Sequence, residues 1–275
     1  MPGGHESSGG TPAGDQDVVV ITGASRGIGA ATAVRVAGRG AHVVLNYREK
    51  AGRAQRVVDA VLSRGGSCTA VRADLTDPMA VSEMFRFVRR VHGRVDVLVL
   101  NASGGMERNS GPDYAMRLNR DAQVSVLKHC LALMPRGGRV VFVTSHQAHF
   151  ARFDLPAYAD VARSKRAGED AIRARIPELR AHGVDLVVVS GDIVAGTVTA
   201  TLLERAEPGL LETRRAEAGS LVTIETFSAE VARATTGTYE SGHTVYVGDT
   251  CQRECTCSHR RAPRITGPDG VATRR

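Results

Sequence analysis

The sequence predicts an α/β fold, a single domain built on a doubly wound parallel sheet, and three observations predict it. Short β-branched runs alternate with helix-compatible segments from Asp17 onward. Runs such as Val97-Leu98-Val99-Leu100 and Val140-Val141-Phe142-Val143 are apolar at every position, as strands covered by helices on both faces are. The first run feeds a glycine-rich turn that opens a helix.

The elements follow in order. A strand over 17–22 enters Thr22-Gly23-Ala24-Ser25-Arg26-Gly27-Ile28-Gly29, a helix over 27–39 ends at Gly40, and Ala41 to Asn46 forms the second strand. Unpaired N–H groups and the positive end of a helix dipole at such a turn bind phosphate. Gly23 allows the sharp turn off the strand, Gly27 lets backbone approach a pyrophosphate, and Gly29 lets the helix pack closely on the sheet. Further strands are expected at 68–72, 96–100, 139–144, 184–190 and 244–247, with helices at 50–64, 79–92, 114–134, 159–181 and 228–235. Val198 to Thr226 is a helical or loop insertion overhanging the carboxyl ends of the strands, where ligands bind in such sheets, and is the candidate lid. The domain is expected over 17–249, after a disordered Gly/Ser/Pro-rich leader at 1–16 and before a basic, disordered tail at 250–275.

Composition narrows the function. The 275 residues suit one α/β domain. Aromatic residues are 4% and Trp is absent, so the core rests on Val, Leu, Ala and Ile. The net charge of +7 is an excess of Arg with no basic run interleaved with aromatics, which argues against a nucleic-acid partner. No apolar run approaches the ~18 residues of a membrane span and the N-terminus has no signal-like hydrophobic region, so a cytoplasmic protein with no membrane partner is expected. Cys68 and Cys130 lie in the body and Cys251, Cys255 and Cys257 in the tail, an odd count that is not a disulfide framework. The spacing of Cys251, Cys255, Cys257 and His259 is too tight for a zinc finger or ribbon, and no metal is expected.

With these motifs in hand, the sequence resembles the short-chain dehydrogenase/reductase family from about Asp17 to Gly248, which implies a Rossmann fold. The Thr22–Gly29 stretch matches the family's Thr-Gly-x-x-x-Gly-x-Gly signature. Ala73-Asp74-Leu75 and Asn101-Ala102 match its segments after the third and fourth strands, which hold the adenine and ribose region of the cofactor. By that resemblance Gly23, Ser25, Arg26, Gly27, Ile28, Gly29, Asp74, Leu75, Asn101 and Ala102 are expected at the cofactor. After the sixth strand the family's Pro-Gly-x-Ile-x-Thr is replaced by Ser190-Gly191-Asp192-Ile193, with Thr197 farther along; Gly191, Ile193 and Thr197 are expected near the nicotinamide, and Asp192 is expected to face solvent.

Charge distinguishes the cofactors. An acid closing the second strand accepts from a ribose 2′-OH and repels a 2′-phosphate. Here that place holds Asn46-Tyr47-Arg48, and Arg48 together with Arg26 offers forked donors suited to a phosphate dianion, so NADPH (NADP+) is the expected cofactor.

The resemblance also implies a catalytic set, and here the sequence departs from the pattern. Asn119 and Ser145 match the family's Asn and Ser. The Tyr-x-x-x-Lys motif is broken: Tyr158 lies thirteen residues after Ser145 but is followed at i+4 by Ala162, whereas Lys165, in a family-like Ser164-Lys165, is preceded at i−4 by Val161. Either three residues are inserted between Tyr158 and Lys165, or the tyrosine position is Val161 and the site lacks a phenol. At i+7 on one helix the two groups stand about 10.5 Å apart along the axis, so Tyr158 serves only if the chain before Lys165 is not regular helix; Pro156 favours a late helix start. Histidine as a residue type titrates near neutrality, which makes His146 and His149 substitute donors, although loop histidines are more often solvated or capping, and Tyr114 reads as a packing residue.

The expected activity is therefore an NADPH-dependent oxidoreductase on CH–OH/C=O groups, a ketoreductase that reduces a ketone or aldehyde as its small-molecule substrate, with Ser145, Tyr158, Lys165 and Asn119 as the catalytic set. The broken motif supports the alternative of a non-catalytic NADP(H)-binding sensor or interaction protein. A lyase or isomerase on the same fold stays open. The resemblance further implies a homodimer or homotetramer through the helices at 114–134 and 159–181.

Overall fold

The computed structural model describes residues 16–106, 111, 113–149 and 155–248. The tail with Cys251, Cys255, Cys257 and His259, and the leader apart from Gln16, lie outside the described residues.

Seven parallel strands form the central sheet: β1 (Val18–Ile21), β2 (His42–Tyr47), β3 (Ser67–Arg72), β4 (Val97–Leu100), β5 (Arg139–Ser145), β6 (Asp185–Gly191) and, last in the chain, β9 (His243–Val247). Their order is β3-β2-β1-β4-β5-β6-β9. The Val-rich runs are strands because both their faces are covered, and β1 and β4 are buried at every position. One face carries α1 (Gly27–Ala37), α2 (Ala51–Leu62) and α10 (Ile224–Ala234), whose Ala33, Val58 and Phe227 pack with Val19, Val99 and Val189. The other carries α3 (Pro78–His92), α5 (Ala122–Leu131) and α7 (Ile176–His182), where Phe85, Leu127 and Leu179 pack with Val20, Leu98 and Leu186. The result is a doubly wound sheet of the Rossmann type. The strand order reverses between β1 and β4, and a crevice opens there at the carboxyl ends of the strands.

Local chemistry sets the helix limits. Asp77 caps α3 by accepting from the Met79 N–H at 2.9 Å, Pro78 begins it, and Gly93 ends it in the left-handed region. The helix expected over 159–181 is two helices, α6 (Ala159–Arg173) and α7. Pro177 has no N–H to donate and its ring crowds the carbonyl four residues back, at Arg173, where α6 stops. The helix expected over 114–134 ends at Leu131 and carries a widened π-turn, Arg117–Asp121, between α4 (Tyr114–Met116) and α5.

The insertion before the last helix is built. A two-stranded pair, β7 (Val194–Ala195) with β8 (Val222–Thr223), forms its stem, and α8 (Val198–Ala206) and α9 (Leu210–Ala218) form its body. Among the described residues no helix is long and apolar enough to cross a membrane.

Candidate active site

The site is assembled at the reversal of strand order. Thr22, at the end of β1, donates its N–H to Val99 at 3.0 Å, and its hydroxyl accepts from the N–H groups of Asn101 and Ala102 at 2.9 and 3.0 Å. Asn101 returns its amide to the Thr22 carbonyl at 2.9 Å. The turn after β1 is thereby fastened to the end of β4. Asn46 fastens it on the other side, accepting from Gly23 N–H at 3.2 Å and donating to the Ala73 carbonyl at 3.1 Å. Sequence reading took Asn46 only as the absence of an acid, but its two-sided amide ties the turns after β1 and β3 to β2.

Within that frame Gly23 turns the chain at a φ of 64°, and a Cβ on it would press on the Ala102 backbone at 2.9 Å. A Cβ on Gly29 would meet the Asn101 amide at 2.5 Å. Gly27 faces open space, with no protein atom within reach of an added Cβ. No side chain caps α1 and no acid stands in its first turn, so its leading N–H groups and dipole are directed at that space.

The space is one cavity of about 500 Å³. Gly23, Ser25, Arg26, Gly27, Ile28, Gly29, Tyr47, Arg48, Asp74, Leu75, Asn101, Ala102, Ser145, Tyr158, Lys165, Gly191, Ile193 and Thr197 all line it. Asn119 does not. Its amide donates to the Gly104 carbonyl at 2.9 Å and to the Ser164 hydroxyl at 2.8 Å, and accepts from Gly104 N–H at 3.2 Å, so it braces the segment after β4 against α6. The widened turn at Arg117–Asp121 carries Asn119, and nothing in the sequence signals it.

At the β2 end the cavity is basic: Lys50 and Arg53, not singled out by sequence, join Arg26 and Arg48. Glu49 is there too, paired with Arg48 Nε at 3.0 Å. Tyr114 does more than pack: its phenol oxygen accepts from Arg48, whose guanidinium lies 5.7 Å from the ring centroid. Backed by that phenol and paired with Glu49, Arg48 is held at the cavity wall. These residues fit a phosphorylated dinucleotide: an open glycine turn at a helix N-terminus, and cations where a strand-closing acid is missing.

At the opposite end Tyr158 and Ser145 come together. Tyr158 closes a 3-10 turn (Pro156–Tyr158) and lies outside α6, which begins at Ala159. Its phenol is hydrogen-bonded to Ser145; burial pushes the phenol up to about 12 against the lowering effect of that bond. Val161, at i−4 from Lys165, is buried in the wall with Leu155, Ile193, Ala200 and Leu203. The cavity therefore has a phenol, supplied from before the helix. Lys165 stands about 9 Å farther along the axis than the first residue of α6. Burial lowers its ammonium to about 8, opposed by the Glu169 carboxylate one turn on. Glu169 is itself buried and pinned by Arg173 Nε at 2.7 Å and His149 Nε2 at 3.0 Å.

Two loop residues differ from expectation. His146 is buried rather than solvated, and burial lowers it to about 4. Asp192 is not solvent-facing: it is 8% exposed and paired with Arg214 at 2.7 Å, because the α8–α9 insertion folds over it.

A parallel sheet with a glycine turn at its switch point, and a phenol, hydroxyl and ammonium at the far end of one cavity, define a doubly wound α/β fold of the Rossmann class. The family profile of the short chain dehydrogenases matches residues 17–207, and the chain belongs to that family. It is 35% identical over 163 residues, 57% of this chain and 60% of the relative, to a hydroxynaphthalene reductase-like protein of Metarhizium robertsii. It is 34% identical over 185 residues to 1-cyclohexenylcarbonyl-CoA reductase of Streptomyces collinus, covering 65% of each chain. The chain thus spans about three-fifths of the length of these curated relatives. Among solved structures, a short chain dehydrogenase from Burkholderia cenocepacia in complex with NADP superposes with a TM-score of 0.72 at 26% identity, over 84% of this chain and 96% of that one.

Proposed function

We propose that the protein is an NADPH-dependent reductase that converts a ketone or aldehyde into the alcohol. The observation that carries this reading is the hydrogen-bonded pair of Tyr158 and Ser145 in the same cavity as the glycine turn and Lys165. Reductase relatives and a solved relative that holds NADP support it.

When bound, the nicotinamide supplies hydride to the carbonyl carbon. The protein's part is binding, orientation and the proton. The turn over Gly23, Ser25, Arg26, Gly27, Ile28 and Gly29 receives the pyrophosphate, Asp74, Leu75, Asn101 and Ala102 flank the adenosine half, and Gly191, Ile193 and Thr197 back the nicotinamide half. Arg48, with Tyr47, Lys50 and Arg53 around it, receives the 2′-phosphate; forked Arg donors favour a dianion over a hydroxyl. Lys165 holds the ribose by its ammonium. Ser145 donates to the carbonyl oxygen, and Tyr158 delivers the proton there and recovers one from solvent. Asn119 acts through Gly104 and Ser164, holding α6 and so Lys165 in position.

Two-sided measurement tests this. Loss of NADPH absorbance with a panel of alicyclic and aromatic ketones and aldehydes should reveal turnover. Tyr158→Phe should abolish most of it, about 100-fold or more in kcat, while leaving NADPH affinity within a few-fold. NADPH binding with no carbonyl reduced would leave a binding protein instead, and full activity in Tyr158→Phe would remove Tyr158 from the mechanism.

A further inference from the structure

The insertion between β6 and α10 is held in an unusual way. Its stem is the short β7–β8 pair, with Val194 opposite Val222 and Ala195 opposite Thr223. Glu204 makes its two helices one body: one carboxylate oxygen accepts from Gly209 N–H at 2.8 Å and the other from Leu211 N–H at 2.9 Å. Helix α8 faces the cavity through Val198, Thr199, Ala200 and Leu203. Helix α9 does not line the cavity, and its one buried side chain is a charged one, Arg214, 4% exposed.

Arg214 reaches Asp192 with Nε at 2.8 Å and Nη2 at 2.7 Å, both on Oδ2, and its Nη1 meets Glu217 at 3.0 Å. Asp192 stands between Gly191 and Ile193 on the cavity wall. Its second oxygen accepts from Ile193 N–H at 2.8 Å, and its own N–H donates to Val247 at 3.2 Å. The acid is thus rigidly mounted on the sheet while the guanidinium belongs to the insertion. An apolar helix face would adhere over a range of positions; a guanidinium on one carboxylate oxygen is directional and either made or lost.

We propose that Arg214 is a positioning residue that latches the α8–α9 lid over the carbonyl end of the cavity through Asp192. The carbonyl readout rests on the reductase reading; the exchange readout does not. Glu204 transmits the latch from α9 to α8, and α8 closes the substrate side. The adenosine end, built on β1, β2 and β4, is untouched by it.

The test is amide hydrogen exchange on the full chain, with and without NADPH, for the wild type and Arg214→Met, alongside steady-state kinetics. Removing one partner strands a buried charge, so the double variant Asp192→Asn/Arg214→Met, which removes both, is the control for folding. In both variants exchange over 198–218 should rise about tenfold or more while the amides of β1, β4 and β5 keep their protection. Carbonyl KM should rise about tenfold, with kcat and NADPH affinity within about threefold. Unchanged exchange over 198–218 in either variant would overturn the latch, as would a rise shared equally by the central strands. Should no carbonyl be reduced by the wild type, the reductase reading fails while the exchange result still decides for or against the latch.

Discussion

Tyr158 and Lys165 reach the cavity from different supports. The phenol is carried by a 3-10 turn and the ammonium by a regular helix, and each has its own electrostatic surroundings. With the phenol held up at about 12, it stays protonated throughout the neutral range and is always in its donating form. Lys165, lowered to about 8 by burial, keeps its charge below that pH and loses it above. We therefore expect NADPH affinity to fall as pH rises through about 8. Glu169→Gln should move this limb to lower pH, since Glu169 is what opposes the burial effect. A pH series of NADPH titrations by fluorescence checks both. Tyr114→Phe removes the acceptor behind Arg48, and should weaken NADPH binding about three- to tenfold while NADH binding stays unchanged. The residues of the glycine turn were legible because each has a job fixed by backbone geometry. Tyr114, Asn46 and Glu169 were not, because their partners lie on other strands or helices and no local pattern announces them.

At the level of elements, the π-turn and α6 pack backbone to backbone. A Cβ on Gly168 would overlap the Asn119 carbonyl oxygen, and Ser164 on the same helix accepts from the Asn119 amide. Gly168→Ala should cost about 1–3 kcal/mol by overpacking, lowering Tm by roughly 2–4 °C per kcal/mol, and should reduce activity by shifting Lys165. Scanning calorimetry with parallel kinetics measures it. Strands were readable from sequence because buried parallel strands are apolar throughout. The break between α6 and α7 falls inside the single helix expected over 159–181, although Pro177 marks it. The π-turn, and the folding of the 198–226 segment into a stem and two helices, depend on long-range partners such as Ser164, Glu204 and Asp192, which the sequence does not place side by side.

For the whole molecule, two buried histidines set the acid limit. His42, enclosed between Ser67 and Thr69 and 4.5 Å from the His92 ring, and His146, behind β5, are each lowered to about 4, chiefly by burial. Both are neutral in the native state, whereas the unfolded chain protonates them near 6.5. The unfolded state therefore binds more protons between these values, and stability falls as pH drops from about 6.5 toward 4, by on the order of 2 kcal/mol apiece after solvent screening. Urea midpoints across that range should decline, and His42→Gln should flatten the decline by its own share.

The turn at Gly23 has a consequence for how the protein meets its cofactor. Asn46, Thr22 and Asn101 fasten the turn after β1 to its neighbouring strands by hydrogen bonds within the protein, so the cradle is in place before any nucleotide arrives. A preorganised receptor surrenders little entropy on binding, and binding to the native state alone raises stability by RT ln(1 + [L]/Kd). Nucleotide affinity should thus appear almost undiminished as thermal protection, and ranking nicotinamide nucleotides by the melting shift they produce amounts to reading the cradle's own preference.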